Sequence, residues 1–126
     1  EVVELGATAP TRDFLYVEDT AAGLVACAEA ESVEGEVINL GTGTEISIGE
    51  LAARVLRQLD REVPLSLDQD RLRPADSEVE RLVADVSKAK RLLGWEPTVD
   101  LNEGLRRTVD WLSQSLDAYK PSLYSV

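Results

Sequence analysis

Arg12 is the one cation among the first fifty residues, which also hold eleven carboxylates. Its planar fork suits an anionic ligand, while the adjacent Asp13 offers a structural ion pair instead. Residue types alone leave both roles open. A second charged stretch, Asp68 to Arg81, carries Arg71, Arg73, Glu78 and Arg81. The sequence has no histidine and a single cysteine, Cys27. Histidine catalysis, His-ligated zinc and an internal disulfide are therefore unsupported, and the lone thiol fits a reducing compartment. Tyr16, Tyr119 and Tyr124 each lack a lysine four positions later, and Lys120 directly after Tyr119 has the wrong spacing for a proton-transfer pair on a helix. Gly41-Thr42-Gly43 lacks the third glycine of a dinucleotide-binding fingerprint. It reads as a turn requiring positive φ. The many remaining carboxylates are expected on the solvated surface, and none stands out as an acid or base.

The elements that would position these residues alternate between strand and helix. Val2 to Leu5 and Phe14 to Val17 read as short strands separated by Gly6 and Pro10. Asp19 is placed to cap a helix whose apolar face is Ala21, Leu24, Val25 and Ala28. Val37 to Leu40 follows as a buried strand, leading into the glycine turn. Ser47 and Glu50 have capping-box spacing, with Ile46 and Leu51 as a hydrophobic staple. Ile48, Leu51, Ala52, Val55, Leu56 and Leu59 then repeat at helical spacing. Val63 to Leu67 makes a further strand, and Pro74 keeps the charged segment after it largely in loop. A short helix from Ser87 to Leu93 ends at Gly94, with Trp95 packing back. Asp100 and Glu103 open a last helix striped by Leu101, Leu105, Val109, Leu112 and Leu116. Trp95 and Trp111 are both expected to be packing residues. The fold class is thus α/β, a small sheet of short strands flanked by helices, over residues 1–116, with 117–126 as a tail.

The 126 residues suit one domain, and 44% hydrophobic with 29% charged residues describes a folded globular chain. A net charge of −11 opposes binding of nucleic acid through most of the surface. No apolar run approaches the roughly 20 residues of a membrane span. The opening EVVELGATAP has no basic stretch before an apolar run, so no secretory leader is expected.

Three segments carry a resemblance: Thr11-Arg12-Asp13-Phe14-Leu15-Tyr16-Val17-Glu18-Asp19, Asn39-Leu40-Gly41-Thr42-Gly43, and Arg71 to Arg81 with its Arg73-Pro74 step. In that order, with Ala84-Asp85, Leu93-Gly94-Trp95-Glu96-Pro97 and Glu103-Gly104-Leu105 downstream, they resemble the C-terminal half of extended short-chain dehydrogenases/reductases acting on nucleotide sugars. Pro10 to Asp13, Glu45 to Leu51 and Arg73 to Arg81 are most similar to NAD-dependent sugar-nucleotide 4,6-dehydratases. The nearest branch acts on UDP-N-acetylglucosamine in legionaminic-acid-type pathways, with GDP-mannose 4,6-dehydratases and 4-epimerases as close relatives.

The resemblance implies a division of labour. NAD and the Tyr-x-x-x-Lys pair belong to an N-terminal Rossmann domain, so no cofactor and no catalytic residue are expected on this chain, and that domain is its expected partner. Arg12 matches the arginine that meets the nucleotide diphosphate, Arg73 the second phosphate-contacting arginine, and Glu78 an acidic position near the ribose. For Glu78 the competing role is an ion pair with Arg81. Asn39 is a further substrate candidate, against bonding to local backbone. A cytoplasmic location follows from the implied substrate, and apolar surface left uncovered would favour self-association.

Overall fold

The computed structural model describes residues 2–72 and 78–116, so the expected tail at 117–126 lies outside the described residues. Two small sheets and four helices make an α/β fold. The first sheet is a parallel pair, β1 (Val3–Leu5) with β4 (Leu65–Leu67), in register Val3 to Leu65. The second has three two-residue strands. Central β2 (Thr11–Arg12) lies antiparallel to β3 (Ile46–Ser47) and parallel to β5 (Arg81–Leu82).

Local signals set the helices α2 (Ile48–Gln58), α3 (Ser87–Leu93) and α4 (Leu101–Gln114). Ser47 Oγ accepts from the Glu50 amide at 3.1 Å and Glu50 reaches back to the Ser47 amide, closing the expected capping box. The Asp100 carboxylate accepts from the Glu103 amide at 3.0 Å at the start of α4. Helix α3 stops at Gly94, and Trp95 behind it is buried.

Around α1 (Val17–Glu29) the sequence expectations fail, each for a nonlocal reason. Phe14 to Val17 is not a strand. The ladder on β2 ends where the Asp13 amide donates to the Leu82 carbonyl at 3.0 Å, and Tyr16 already occupies the N-cap of α1. Asp19 is not the cap either. It sits inside the first turn, 4% exposed, and its carboxylate accepts from the Thr98 amide, the Thr98 hydroxyl and the Val99 amide at 2.8–3.0 Å. Burial opposes its ionisation, but these bonds, with Arg107 nearby, hold its carboxyl below the ordinary value.

That inward turn of Asp19 and Gly23 sends the expected apolar face outward, and Leu24 is 62% exposed. Gly23 permits a close approach: a Cβ there would lie 2.6 Å from Leu40 Cδ1, which would have to move, and 3.1 Å from Trp95. Val37 to Leu40 is neither a strand nor buried as a unit. No backbone hydrogen bond among the described residues involves it, and Val37 is 79% exposed. Among the described residues the buried apolar side chains are Pro10, Ile46, Ala89 and Trp95. Trp111, expected to pack, is exposed.

Candidate functional site

Arg12 stands on the central strand β2, with a neighbour on each side. In the ladder Thr11 faces Ser47 and Arg81, while Arg12 faces Ile46 and Leu82. Successive strand residues point to opposite faces, and the two faces carry different ion pairs. On one, the Glu45 carboxylate accepts from Thr11 Oγ1 at 2.7 Å and from Arg81 Nε at 2.8 Å. Those two bonds, Thr11 first, hold the Glu45 carboxyl below its ordinary value. On the other, Arg12 Nη1 donates to the Thr11 carbonyl at 2.8 Å and Nη2 donates to Glu78 Oε1 at 3.0 Å. The two paired side chains are only 21% and 20% exposed.

The structure therefore brings together two of the sequence candidates, Arg12 and Glu78, and replaces both bland partners. Arg12 pairs with Glu78 and not with Asp13, while Arg81 is taken by Glu45 and not by Glu78. Asn39 lines the same cavity of about 570 Å³ as Arg12, together with Ile38, Leu40, Leu82 and Ala84. It is exposed, and its amide reaches only the Asp85 carbonyl at 3.5 Å. Arg73 lies outside the described residues.

Sequence reasoning missed Asp13 as the residue that builds the cavity wall. Its carboxylate accepts from the Thr42 amide at 2.9 Å, the Thr42 hydroxyl at 2.6 Å, the Gly43 amide at 2.9 Å and the Ala84 amide at 3.3 Å. One acid thus ties β2, the glycine turn and the segment after β5 into a unit. Gly41 lets them approach, since a Cβ there would stand 2.5 Å from Ala84 Cβ and 2.7 Å from Asp13 Oδ2. No local signal marks it, because the turn it serves lies 29 residues downstream.

This saturation also tests the turn as a cofactor cradle. A pyrophosphate site needs backbone amides directed at the ligand, but those of Thr42 and Gly43 already serve the chain's own carboxylate. The described residues do not fit a dinucleotide at this turn. Two other features were not foreseen. Phe14, Tyr16, Val99, Leu105 and Trp111 line an apolar groove of about 650 Å³, with Arg107 5.5 Å above the Tyr16 ring. Arg54, which reads as a scaffold residue, borders another cavity beside Thr42 and Thr44. No group of three or more potential metal ligands occurs among the described residues.

A family model described as GDP-mannose 4,6 dehydratase matches residues 1–108. The chain belongs to that family. Members and relatives of this epimerase/dehydratase family carry different reactions. UDP-glucuronate 4-epimerase of Thermodesulfobacterium geofontis is 36% identical over 86% of this chain and 32% of its own length. UDP-glucuronic acid decarboxylase 1 of Xenopus tropicalis is 38% identical over 89% of this chain and 25% of its own. The crystal structure of UDP-glucuronic acid 4-epimerase from Bacillus cereus with UDP-glucuronic acid and NAD superposes with a TM-score of 0.80. It is 31% identical over 91% of this chain and 36% of that one. This family member therefore spans a quarter to about a third of the proteins it matches. Among its described residues no helix is long and apolar enough to cross a membrane.

Proposed function

We propose that residues 1–116 are the C-terminal nucleotide-sugar-binding portion of a longer NAD-dependent sugar-nucleotide 4,6-dehydratase. The observation that carries this reading is Arg12, a largely covered guanidinium on the central strand at the wall of a cavity, in the family's matched region. Arg12 and Arg73 would neutralise the diphosphate through charge-assisted hydrogen bonds. Glu78 would accept from the ribose hydroxyls, and Asn39 would reach the ligand from the rim of the same cavity. NAD would be held by a Rossmann domain elsewhere in the parent protein. The outward Leu24 and Val25, with the unpaired segment at Val37, are the surface such a domain would cover; uncovered, they favour self-association. The proposed substrate also argues for a cytoplasmic location.

A second reading, a sugar-nucleotide 4-epimerase, draws on the 36% identical UDP-glucuronate 4-epimerase. The parent protein, incubated with NAD and either UDP-N-acetylglucosamine or UDP-glucuronic acid, separates the two: a 4-keto-6-deoxy product marks the dehydratase, a C4 epimer the epimerase. The binding assignment is tested on the same protein by titrating UDP. Arg12→Ala should weaken binding about tenfold to a hundredfold, the loss of a charge-assisted hydrogen bond. Arg61→Ala, on the exposed turn after α2, should leave affinity within about twofold. Equal effects from the two substitutions would refute the assignment.

A further inference from the structure

We infer that Glu78 is an internal counter-anion that competes with a diphosphate for Arg12, so that binding proceeds by exchange of partners. The inference rests on the reading that Arg12 meets a diphosphate. Both edges by which a guanidinium grips an anion with two parallel bonds include Nη2, paired with either Nε or Nη1. Glu78 already sits on Nη2 at 3.0 Å, and Nη1 is turned to the Thr11 carbonyl at 2.8 Å. A phosphate taking the other edge would place a second anion against the nitrogen that Glu78 holds. Repulsion between two anions so close, in a setting where each side chain is about four-fifths covered, favours displacement over sharing.

Among the described residues the adjacent strand supplies no free cation to offset that repulsion. Arg81, the other cation on the adjacent strand, is engaged by Glu45 through both carboxylate oxygens at 2.8 and 3.0 Å. Glu78 therefore has to leave Arg12 as the phosphate arrives. Once released, its carboxylate has the acceptor capacity that ribose hydroxyls require. Glu78 then opposes the phosphate part of a ligand and supports the ribose part, which makes it a discriminator against bare anions.

Inorganic pyrophosphate isolates the first effect because it has no ribose. Calorimetric titration of the 126-residue chain with pyrophosphate should give affinity for Glu78→Gln about two- to fivefold above wild type, the scale of a partly exposed ion pair. Glu80→Gln removes the same charge next door and should change affinity by less than about 1.5-fold. Arg12→Ala should weaken binding about tenfold to a hundredfold in either background. In wild type, independently of any variant, the Glu78 carboxylate and Arg12 guanidinium NMR signals should titrate together. Unchanged or weaker binding by Glu78→Gln would overturn the inference, as would equal tightening by Glu80→Gln or a Glu78 carboxylate that ignores the ligand. Those results, with Arg12-dependent binding intact, would leave the diphosphate reading standing. Absence of any Arg12-dependent binding would remove that reading and this inference with it.

Discussion

Replacing Asp13 by asparagine should cost about 2 kcal/mol of stability, and the estimate follows from which bonds an amide can keep. With its oxygen toward Thr42, the amide nitrogen would oppose the Gly43 and Ala84 amides, donor against donor. The flipped amide does better. Its oxygen keeps Gly43 and Ala84, its nitrogen donates to the Thr42 hydroxyl, and that hydroxyl turns toward the Thr44 carbonyl. The half-buried Thr42 amide then loses its 2.9 Å bond, keeps the 3.1 Å one to the oxygen shared with Gly43 and Ala84, and faces a new N–H where it had an acceptor. One weakened, partly buried amide bond, the donor placed against it and the lost charge assistance on the others give the figure of about 2 kcal/mol. Asp13→Ala removes every bond and should cost about 4 kcal/mol. Urea titration followed by tryptophan fluorescence measures both, with exposed Glu62→Gln as a control expected within about 0.5 kcal/mol of wild type. Hydrogen exchange should show the Thr42, Gly43 and Ala84 amides losing protection together in Asp13→Ala. An Asp13→Asn variant as stable as the control, or independent exchange at the three amides, would refute the claim that one carboxylate ties these segments together.

Asp19 should contribute to acid sensitivity. Its folded-state carboxyl lies below the ordinary value of 3.8, so its stabilisation is present above that pH and is lost as pH falls through the folded value. The urea midpoint of Asp19→Asn should therefore fall less steeply below about pH 4 than wild type, and a parallel decline would count against the assignment. The half-buried Glu103, held at about 2 by Arg106 and Arg107, should still be ionised at pH 3 in an NMR titration; protonation near its ordinary 4.5 would show that pairing to be absent in solution. Gly23→Ala should destabilise by about 1–3 kcal/mol, because the methyl group meets Leu40 and Trp95, and should shift Trp95 emission. An unchanged spectrum and midpoint would mean that Leu40 does not pack there.

What the sequence revealed was set by chain neighbours, and what it concealed was set by distant ones. The boundaries of α2, α3 and α4 were readable because Ser47 with Glu50, Gly94, and Asp100 act within three or four residues of the ends they define. The α/β class and the strands at Val3–Leu5 and Leu65–Leu67 were likewise legible. The face of α1 was not. Leu24 and Val25 have the spacing of a core stripe, yet Asp19 is drawn inward by amides 79 and 80 positions away. Val37 to Leu40 has a buried strand's composition but makes no backbone hydrogen bond among the described residues. The candidate site divides in the same way. Arg12 was conspicuous as a solitary cation, whereas its pairing with Glu78 spans 66 positions and no local rule anticipates it. Asp13 was judged by its neighbour in sequence and belongs instead to a turn 29 residues downstream.

The scarcity of buried apolar side chains has a thermodynamic consequence. With Pro10, Ile46, Ala89 and Trp95 the buried apolar side chains among the described residues, and the other apolar residues half-buried or exposed, unfolding this chain exposes less new hydrocarbon than a well-buried domain of its length. Its heat-capacity increment and denaturant slope should both be small for its length. The stability curve is then shallow, and whatever covers Leu24, Val25 and Val37 adds to it by mass action. A hundredfold excess over the dissociation constant of such a covering surface adds about 2.7 kcal/mol, a large share of what a small domain possesses. In the presence of such a surface the melting temperature would rise with its concentration, and tethering it to the same polypeptide would fix that concentration at a high value.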